Sequence, residues 1–302
     1  MPQKSLFQNS WGTIAVAVLC NILWGSAFPF VKIGYTLWGI GSNTGSILLF
    51  AGIRFTLAGL FVLILSGIRQ RGIPKISNKK GVALLCLVQT VLQYLFFYIG
   101  LSHTSGSNGS IVNATSTFFA VILAHFAYSN DKITLRKAIG SILGFAGVLA
   151  VTFQDGALEM SPRGEGLIIL AAFVFACSSL LNKHVTKTDS PDAVTGYNLF
   201  FGGLILMGAG LAGGGSLTSF SLPGAGVTIY LALLSAVAFT LWAVLLKTNP
   251  VSRISVYNFI IPVSGTLLSA LLLGENILQP RYLVSLILVC TGIIVVNRKE
   301  FS

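Results

Sequence analysis

Charged residues are scarce in this sequence of 302 residues. Asp, Glu, Lys and Arg make up only 9% of the chain, whereas soluble proteins carry roughly 25% charged residues. Hydrophobic residues make up 54%, and the mean hydropathy is +0.84. The core of a soluble domain cannot absorb this much apolar sequence. The composition therefore predicts an integral membrane protein.

The motifs of several enzyme and pump classes are also missing from the sequence. It contains no His-Glu-x-x-His, no Walker loop, no Gly-x-Ser-x-Gly and no pair of intramembrane aspartates, which argues against an ATP-driven pump and an intramembrane hydrolase. We expect no catalytic residue, no metal site and no cofactor. The cysteines each lie alone in an apolar run, without disulfide or metal spacing, and are predicted to be small buried hydrophobic residues; they are Cys20, Cys86, Cys177 and Cys290.

Ten apolar runs are long enough to cross a bilayer as helices, at about 1.5 Å per residue. They lack the period-2 alternation of barrel strands, so the sequence predicts an all-α integral membrane fold with ten transmembrane helices. The first run is too long for the core of a signal peptide and is predicted to be retained. The predicted spans are 14–36, 46–67, 81–102, 107–128, 136–154, 165–187, 194–213, 225–247, 252–273 and 280–297.

The net charge of +11 is unevenly distributed. If the N-terminus lies inside, inner segments hold most of the Lys and Arg residues, while the outer segments hold only Arg163 and Arg281. The positive-inside rule then predicts a multi-pass protein of the cytoplasmic membrane with both termini in the cytoplasm. Since the basic residues act as topology signals, the lipid bilayer is the expected partner and no nucleic-acid partner is expected. The oligomeric state is left open.

Similar segments recur at a spacing of about 145 positions. Asn113 falls opposite Asn258, and Gly147 falls opposite Gly292. Two units of five spans, residues 14–154 and 165–297, follow from this spacing. Because five is an odd number, the second unit must enter the membrane from the opposite side. Such inverted repeats are typical of transporters that bind substrate between the halves, near the middle of the membrane.

Three features carry a family resemblance: Asn-Ile-Leu-Trp-Gly-Ser-Ala-Phe-Pro-Phe-Val-Lys at 21–32, Arg54 in the second span, and the segment from Pro262 to Glu275. On these features the chain resembles the EamA-type branch of the drug/metabolite transporter superfamily over almost its whole length. The first half departs from the second by having Thr117 where the second has Pro262. The resemblance implies ten spans, a central cavity between the halves, and export or exchange of amino acids or other small metabolites.

Polar residues inside the spans are the candidate substrate-binding residues, because they are costly to place there. Helical spacing puts Asn21 and Trp24 on one face of the first span, and Gln89 and Gln93 on one face of the third. These faces could line a cavity or pack helices together through interhelical hydrogen bonds. The candidate set is Asn21, Trp24, Arg54, Gln93, Tyr94, Asn113, Tyr257 and Asn258.

Arg54 is the costliest of these groups, and two roles are open for it. It could bind backbone carbonyls at a helix end, or it could bind a substrate carboxylate. Two acids at the hinges between spans, Asp131 and Glu275, are interpreted as partners of helix ends and loops.

These observations predict a secondary transporter that exports a small-molecule substrate, in particular an amino acid, by alternating access. Two alternatives are a multidrug or cation efflux protein of the same superfamily and a membrane-embedded enzyme of lipid metabolism. The enzyme would need a titrating catalytic cluster, which the sequence does not contain.

Overall fold

Helices make up most of the part of the chain that the computed structural model describes, which is residues 10–41, 43–129, 131–154, 157–158 and 160–297. We number ten of them in chain order. They are α1 (Ser10–Leu37), α2 (Thr44–Gln70), α3 (Lys79–Ser102), α4 (Gly106–Ala127), α5 (Leu135–Thr152), α6 (Pro162–Val185), α7 (Pro191–Ala212), α8 (Leu222–Thr248), α9 (Val251–Leu273) and α10 (Pro280–Asn297).

Eight of these helices are long and apolar enough to cross a membrane, within the part of the chain that the structure describes. The other two, α5 and α10, have 18 residues each. The all-helical membrane fold is confirmed, while the count of ten spans stays a prediction. The predicted cytoplasmic termini concern chain ends outside the described residues.

One short segment departs from the predicted helix boundaries. Residues 153 and 154 were expected in the fifth span, but Phe153–Gln154 (β1) pairs with Ala157–Leu158 (β2) as a two-residue antiparallel ladder. The prediction of helix at these two residues is therefore wrong. The ladder gives the backbone groups beyond the end of α5 hydrogen-bond partners in place of a further helical turn.

Polar side chains cap the starts of several helices, which explains where the apolar runs become helical. Asn43 accepts a hydrogen bond from the amide of Ser46 at the start of α2, and Ser221 accepts one from the amide of Gly224 in α8. These side chains satisfy amides that have no partner inside the helix. At its other end, α9 stops at Gly274, whose φ of 67° is readily adopted only by glycine.

Helices α2 and α7 pack side by side through glycines. A Cβ atom at Gly52 would lie 2.3 Å from the amide nitrogen of Met207, and one at Gly59 would lie 2.2 Å from that of Phe200. Residues later in α2 contact residues earlier in α7, so the two helices are antiparallel. No larger side chain fits at these positions, because the two backbones themselves are in contact.

Helices α5 and α10 form a second close antiparallel pair. A Cβ atom at Gly147 would lie 2.8 Å from the Ser285 carbonyl oxygen, and one at Gly292 would lie 2.6 Å from the Gly140 carbonyl oxygen. Near the centre of the molecule α1 packs against α8 and α9, and α6 packs against α3 and α4. The centre is therefore enclosed by helices from both ends of the sequence.

Candidate functional site

The two helices at the centre, α4 and α9, are interrupted. In α4 the regular helix pauses at Asn113 and Ala114, and the amide of Ser116 bonds to the Asn113 carbonyl oxygen at 3.1 Å in a tighter turn. In α9 the residues Val256–Phe259 form a 3₁₀-helix. Interrupted helices in transporters free backbone groups near substrate and ion sites.

Side chains at the interruptions hold the two helices together. The Thr117 hydroxyl of α4 donates to the carbonyl oxygen of Ser255, next to the 3₁₀ segment, at 3.1 Å. Further along the pair, the hydroxyls of Ser110 and Thr266 lie 3.3 Å apart. Residues later in α4 contact residues earlier in α9, so these helices are also antiparallel.

Next to the interruption of α4 lies an internal cavity of about 40 Å³. Five of the eight predicted site residues line it, and six apolar residues complete the wall. The lining residues are Trp24, Arg54, Gln93, Tyr94 and Asn113, with Ala27, Phe28, Phe97, Phe175, Phe239 and Ile261. Sites for small molecules usually measure about 300–1,000 Å³. In this conformation the cavity is therefore much smaller than a site that encloses a small molecule.

Arg54 is the only cationic residue in the described cavity lining, and it is 1% exposed. Its NH1 donates to the Tyr98 hydroxyl at 2.6 Å and its NH2 donates to the Ser235 hydroxyl at 2.8 Å. Its Nε lies 3.2 Å from the Leu231 carbonyl oxygen. Among the described residues no carboxylate forms a salt bridge with it. In the described part of the chain the buried charge is thus held by neutral groups alone, and two of its five N–H donors have no hydrogen-bond partner there.

Two other polar groups of the cavity wall are buried without a partner among the described residues. They are the indole Nε1 of Trp24, a donor, and the Oε1 of Gln93, an acceptor. Buried polar atoms are nearly always paired in folded proteins. A ligand with both donors and acceptors would satisfy these groups together with Arg54. Aromatic rings surround them: Trp24 meets Phe175 and Phe239 edge to face, with ring centroids 5.6 and 5.3 Å apart.

Gln89 and Gln93, predicted to share a face of the third span, have different surroundings. The Gln89 oxygen accepts from the Asn198 amide at 2.6 Å, and the Asn198 oxygen accepts from Thr90 at 2.9 Å. Gln89 therefore takes part in hydrogen bonding between helices. Its neighbour one turn later, Gln93, lines the cavity.

The three remaining predicted site residues are not in the cavity wall. Asn21 donates to the Ala17 carbonyl oxygen of its own helix at 2.6 Å. Tyr257 and Asn258 lie in the 3₁₀ segment of α9 and are 8% and 0% exposed. Neither side-chain polar atom of Asn258 has a partner among the described residues. The structure thus brings five of the eight residues together around the cavity and leaves these three apart from it.

Sequence reasoning missed most of the apolar wall, including Phe175 of α6 and Phe239 of α8. Both are phenylalanines inside apolar runs. The sequence of such a run does not distinguish a phenylalanine that lines a cavity from one that only packs against other helices.

The hinge acids bind helix ends, as predicted, and each binds a helix of the opposite half. Asp131 follows α4 and accepts from the amide and hydroxyl of Ser252 in the first turn of α9. Glu275 follows α9 and accepts from the amides of Gly106 and Ser107 in the first turn of α4, at 2.8 and 2.9 Å. Carboxylates are favourable at helix N-termini. Helices α4 and α9 are therefore joined at both ends by equivalent contacts.

The chain is similar to a known protein family over most of its length. The profile of the EamA-like transporter family matches it twice, over residues 11–153 and 162–298. The chain belongs to the EamA-like transporter family. The EamA profile thus covers both proposed halves, and membership indicates a transporter rather than an enzyme. It also agrees with the drug/metabolite transporter resemblance of the sequence.

Several named relatives of this EamA protein are transporters as well. The uncharacterized transporter YetK of Bacillus subtilis is 28% identical over 76% of this chain and 72% of its own length. An uncharacterized transporter of Archaeoglobus fulgidus is 26% identical over 87% and 90%. The uncharacterized inner membrane transporter YedA of Escherichia coli is 26% identical over 87% and 83%. Together they identify a multi-pass integral membrane transporter.

A solved crystal structure has the same fold. It superposes with a TM-score of 0.71 at 17% sequence identity and covers 95% of this chain and 98% of its own. At this identity the similarity shows the fold of the EamA protein alone.

Proposed function

We propose that this EamA protein crosses the cytoplasmic membrane ten times, as two inverted five-helix repeats with both termini in the cytoplasm. The double match of the family profile supports the duplication. The packing supports the inversion, because α2 with α7, α4 with α9 and α5 with α10 are antiparallel pairs five helices apart. The contacts of α1 with α8 and α9 repeat as those of α6 with α3 and α4. A twofold axis in the membrane plane would relate each of these contacts to its partner.

Transport in this scheme occurs by alternating access around the cavity between the halves. The cavity is too small for a metabolite in the present conformation, so the surrounding helices must separate to admit one. The interrupted helices α4 and α9 are suited to this movement, because their regular α-helical hydrogen bonding already changes to tighter turns after Asn113 and at Val256–Phe259. The two ends of the helix pair would then open in turn.

The substrate class we favour is a small carboxylate, in particular an amino acid moved by export. The observation that carries this choice is Arg54, a buried cation in the cavity wall that contacts only neutral groups in the described chain. Opposite charge attracts strongly in such surroundings, and a guanidinium can bind a carboxylate through two hydrogen bonds. The rings of Trp24, Phe175 and Phe239 would cover an apolar side chain.

The test is counterflow of labelled amino acids in proteoliposomes that contain the wild-type protein, Arg54→Gln or Arg54→Lys. Each variant is assayed with an amino acid and with its carboxamide analogue. We expect Arg54→Gln to lower uptake of the carboxylate at least tenfold and uptake of the amide much less, with Arg54→Lys between the two. The amount of folded protein in each preparation is measured by size-exclusion chromatography.

Loss of both activities in proportion to folded protein would assign Arg54 to structure alone. Efflux of cationic dyes on overexpression, with no counterflow of any amino acid, would support the multidrug alternative and reject the proposed substrate.

A further inference from the structure

The outer surface of the helix bundle has two neighbouring apolar grooves that the transport site does not use. One, of about 620 Å³, lies between α3 and α7 and is lined by residues such as Val82, Leu87 and Phe201. The other, of about 500 Å³, lies beside α2 and is lined by residues such as Leu63, Ile64 and Ile68. Both are more than ten times larger than the internal cavity.

Tyr197 of α7 lines both grooves and separates them. Its hydroxyl donates to the Pro74 carbonyl oxygen at 2.9 Å, which ties it to the loop between α2 and α3. Its ring stacks against Phe201 with an angle of 11° between the planes. The two grooves therefore lie on either side of Tyr197, and residues of the loop between α2 and α3 line both of them.

The groove walls belong to the apolar outer surface. Leu87 is 47% exposed, Phe201 is 50% exposed and Ile68 is 71% exposed. In a membrane-spanning bundle these outward-facing side chains contact hydrocarbon, so the grooves are filled by acyl chains rather than by water. The grooves thus suit long apolar chains.

The loop above the grooves is basic. Residues 69–80 contain Arg69, Arg71, Lys75, Lys79 and Lys80 and no acidic residue. Arg69 pairs with Asp192. The other four are exposed, and none forms a salt bridge with a described residue.

Besides Asp192, a second acid contacts this loop. Asp189 accepts hydrogen bonds from the backbone amides of Ser77 and Asn78, at 2.7 and 2.9 Å. Burial raises the pKa of Asp189, but the hydrogen bonds from Ser77 and Asn78 outweigh this effect, so the net shift is downward and the carboxylate stays ionised. The contacts hold the loop in place. The five basic residues of this segment outnumber the two acids that contact it, Asp189 and Asp192, so its net charge stays positive, with Lys79 itself in the wall of the larger groove.

We propose that this surface binds one anionic diacyl phospholipid, with one acyl chain in each groove on either side of Tyr197. Lys75 and Lys79 hold the phosphate. Two apolar grooves on either side of Tyr197 match the two chains of one lipid, and the basic loop matches its headgroup. Basic clusters at the membrane surface attract anionic lipids in this way. The site is distinct from the transport cavity, so it does not depend on the proposed substrate.

The experiment measures retention of phosphatidylglycerol and of phosphatidylcholine by the full-length protein, using native mass spectrometry from micelles. The charge variant is Lys75→Gln with Lys79→Gln. The matched control removes two exposed charges elsewhere, Lys132→Gln with Arg136→Gln. A third variant, Ala83→Trp, fills the larger groove and leaves the loop charge intact.

We expect the wild-type protein to retain one phosphatidylglycerol molecule in preference to phosphatidylcholine. The charge variant should weaken retention about tenfold or more, the control should not change it, and Ala83→Trp should weaken retention of both lipids. Equal retention of both lipids by the wild-type protein, or equal loss in the charge variant and the control, would reject the site. Unchanged binding in Ala83→Trp would reject the groove as the position of the acyl chain. Thermal unfolding of each variant without added lipid checks that the protein is folded.

Discussion

Replacing Asp131 with asparagine should destabilise the protein more than the equivalent change at Glu275. The Asp131 side chain is 5% exposed, and it accepts from Lys137 at 2.8 Å as well as from the amide and hydroxyl of Ser252. Hydrogen bonds to charged groups contribute about 1.5–3 kcal/mol each, and breaking a buried ion pair costs about 3–5 kcal/mol. Because Lys137 is 18% exposed and can turn to water, we expect a loss of about 3 kcal/mol for Asp131→Asn.

The matched change is Glu275→Gln. Glu275 is only partly buried and accepts from two backbone amides, and glutamine keeps an acceptor oxygen. Removing a favourable charge at a helix N-terminus costs about 0.3–1 kcal/mol, so the loss should be about 1 kcal/mol. The free energy of unfolding is measured by denaturant titration in micelles at pH 7.

The pH dependence provides an internal check. Burial raises the pKa of Asp131. The hydrogen bonds from Lys137 and Ser252 lower it by a larger amount, so the net shift is downward. A group with a lowered folded-state pKa stabilises the protein above its unfolded pKa, about 3.9 for aspartate, and this stabilisation is lost as the pH falls through the folded value. The difference between wild type and Asp131→Asn should therefore shrink below about pH 3.9. Equal stability at pH 7, or a difference that persists unchanged in acid, would refute this account.

Three further predictions concern topology, the site and packing. Cysteines placed at Lys75 and Ser216, in a variant without native cysteines, should react differently with an impermeant reagent, with position 216 labelled faster from outside intact cells; the reverse order would overturn the proposed orientation. Asn113→Ala and Asn258→Ala should each reduce counterflow several-fold at near-normal expression, and wild-type rates in both would limit these residues to packing. Gly59→Leu should lower the thermal midpoint far more than Gly226→Leu, because a Cβ atom at Gly59 meets the Phe200 backbone while Gly226 faces open space; comparable midpoints would contradict the close contact of α2 and α7.

The positions of the helices could be predicted from the sequence, because long apolar runs have few alternatives in a membrane. The interruption of α9 also has a signal, since Pro262 has no amide to bond the carbonyl of Asn258. The interruption of α4 has none, because Thr117 stands at the matching position. One of the two roles predicted for Arg54 was to bind backbone carbonyls at a helix end, whereas the carbonyl that it binds lies inside α8. That this carbonyl belongs to Leu231 follows only from long-range packing.

The hinge acids illustrate the same limit. Their role at helix ends follows from their position between spans. The identity of the helix that each one binds depends on how α4 and α9 meet, and no local pattern of residues encodes that pairing.

The reciprocal contacts of the hinge acids also affect the order in which the chain can be completed during synthesis. Asp131 is synthesised before Ser252, so the carboxylate that binds the start of α9 is present as soon as that helix forms. The amide of Gly106, in contrast, is synthesised before its partner Glu275, which lies 169 residues later. At about 5–20 residues per second, the start of α4 spends roughly 10–30 s without its partner. During that interval the first half of the protein has one helix end that only water, lipid headgroups or a membrane chaperone can satisfy.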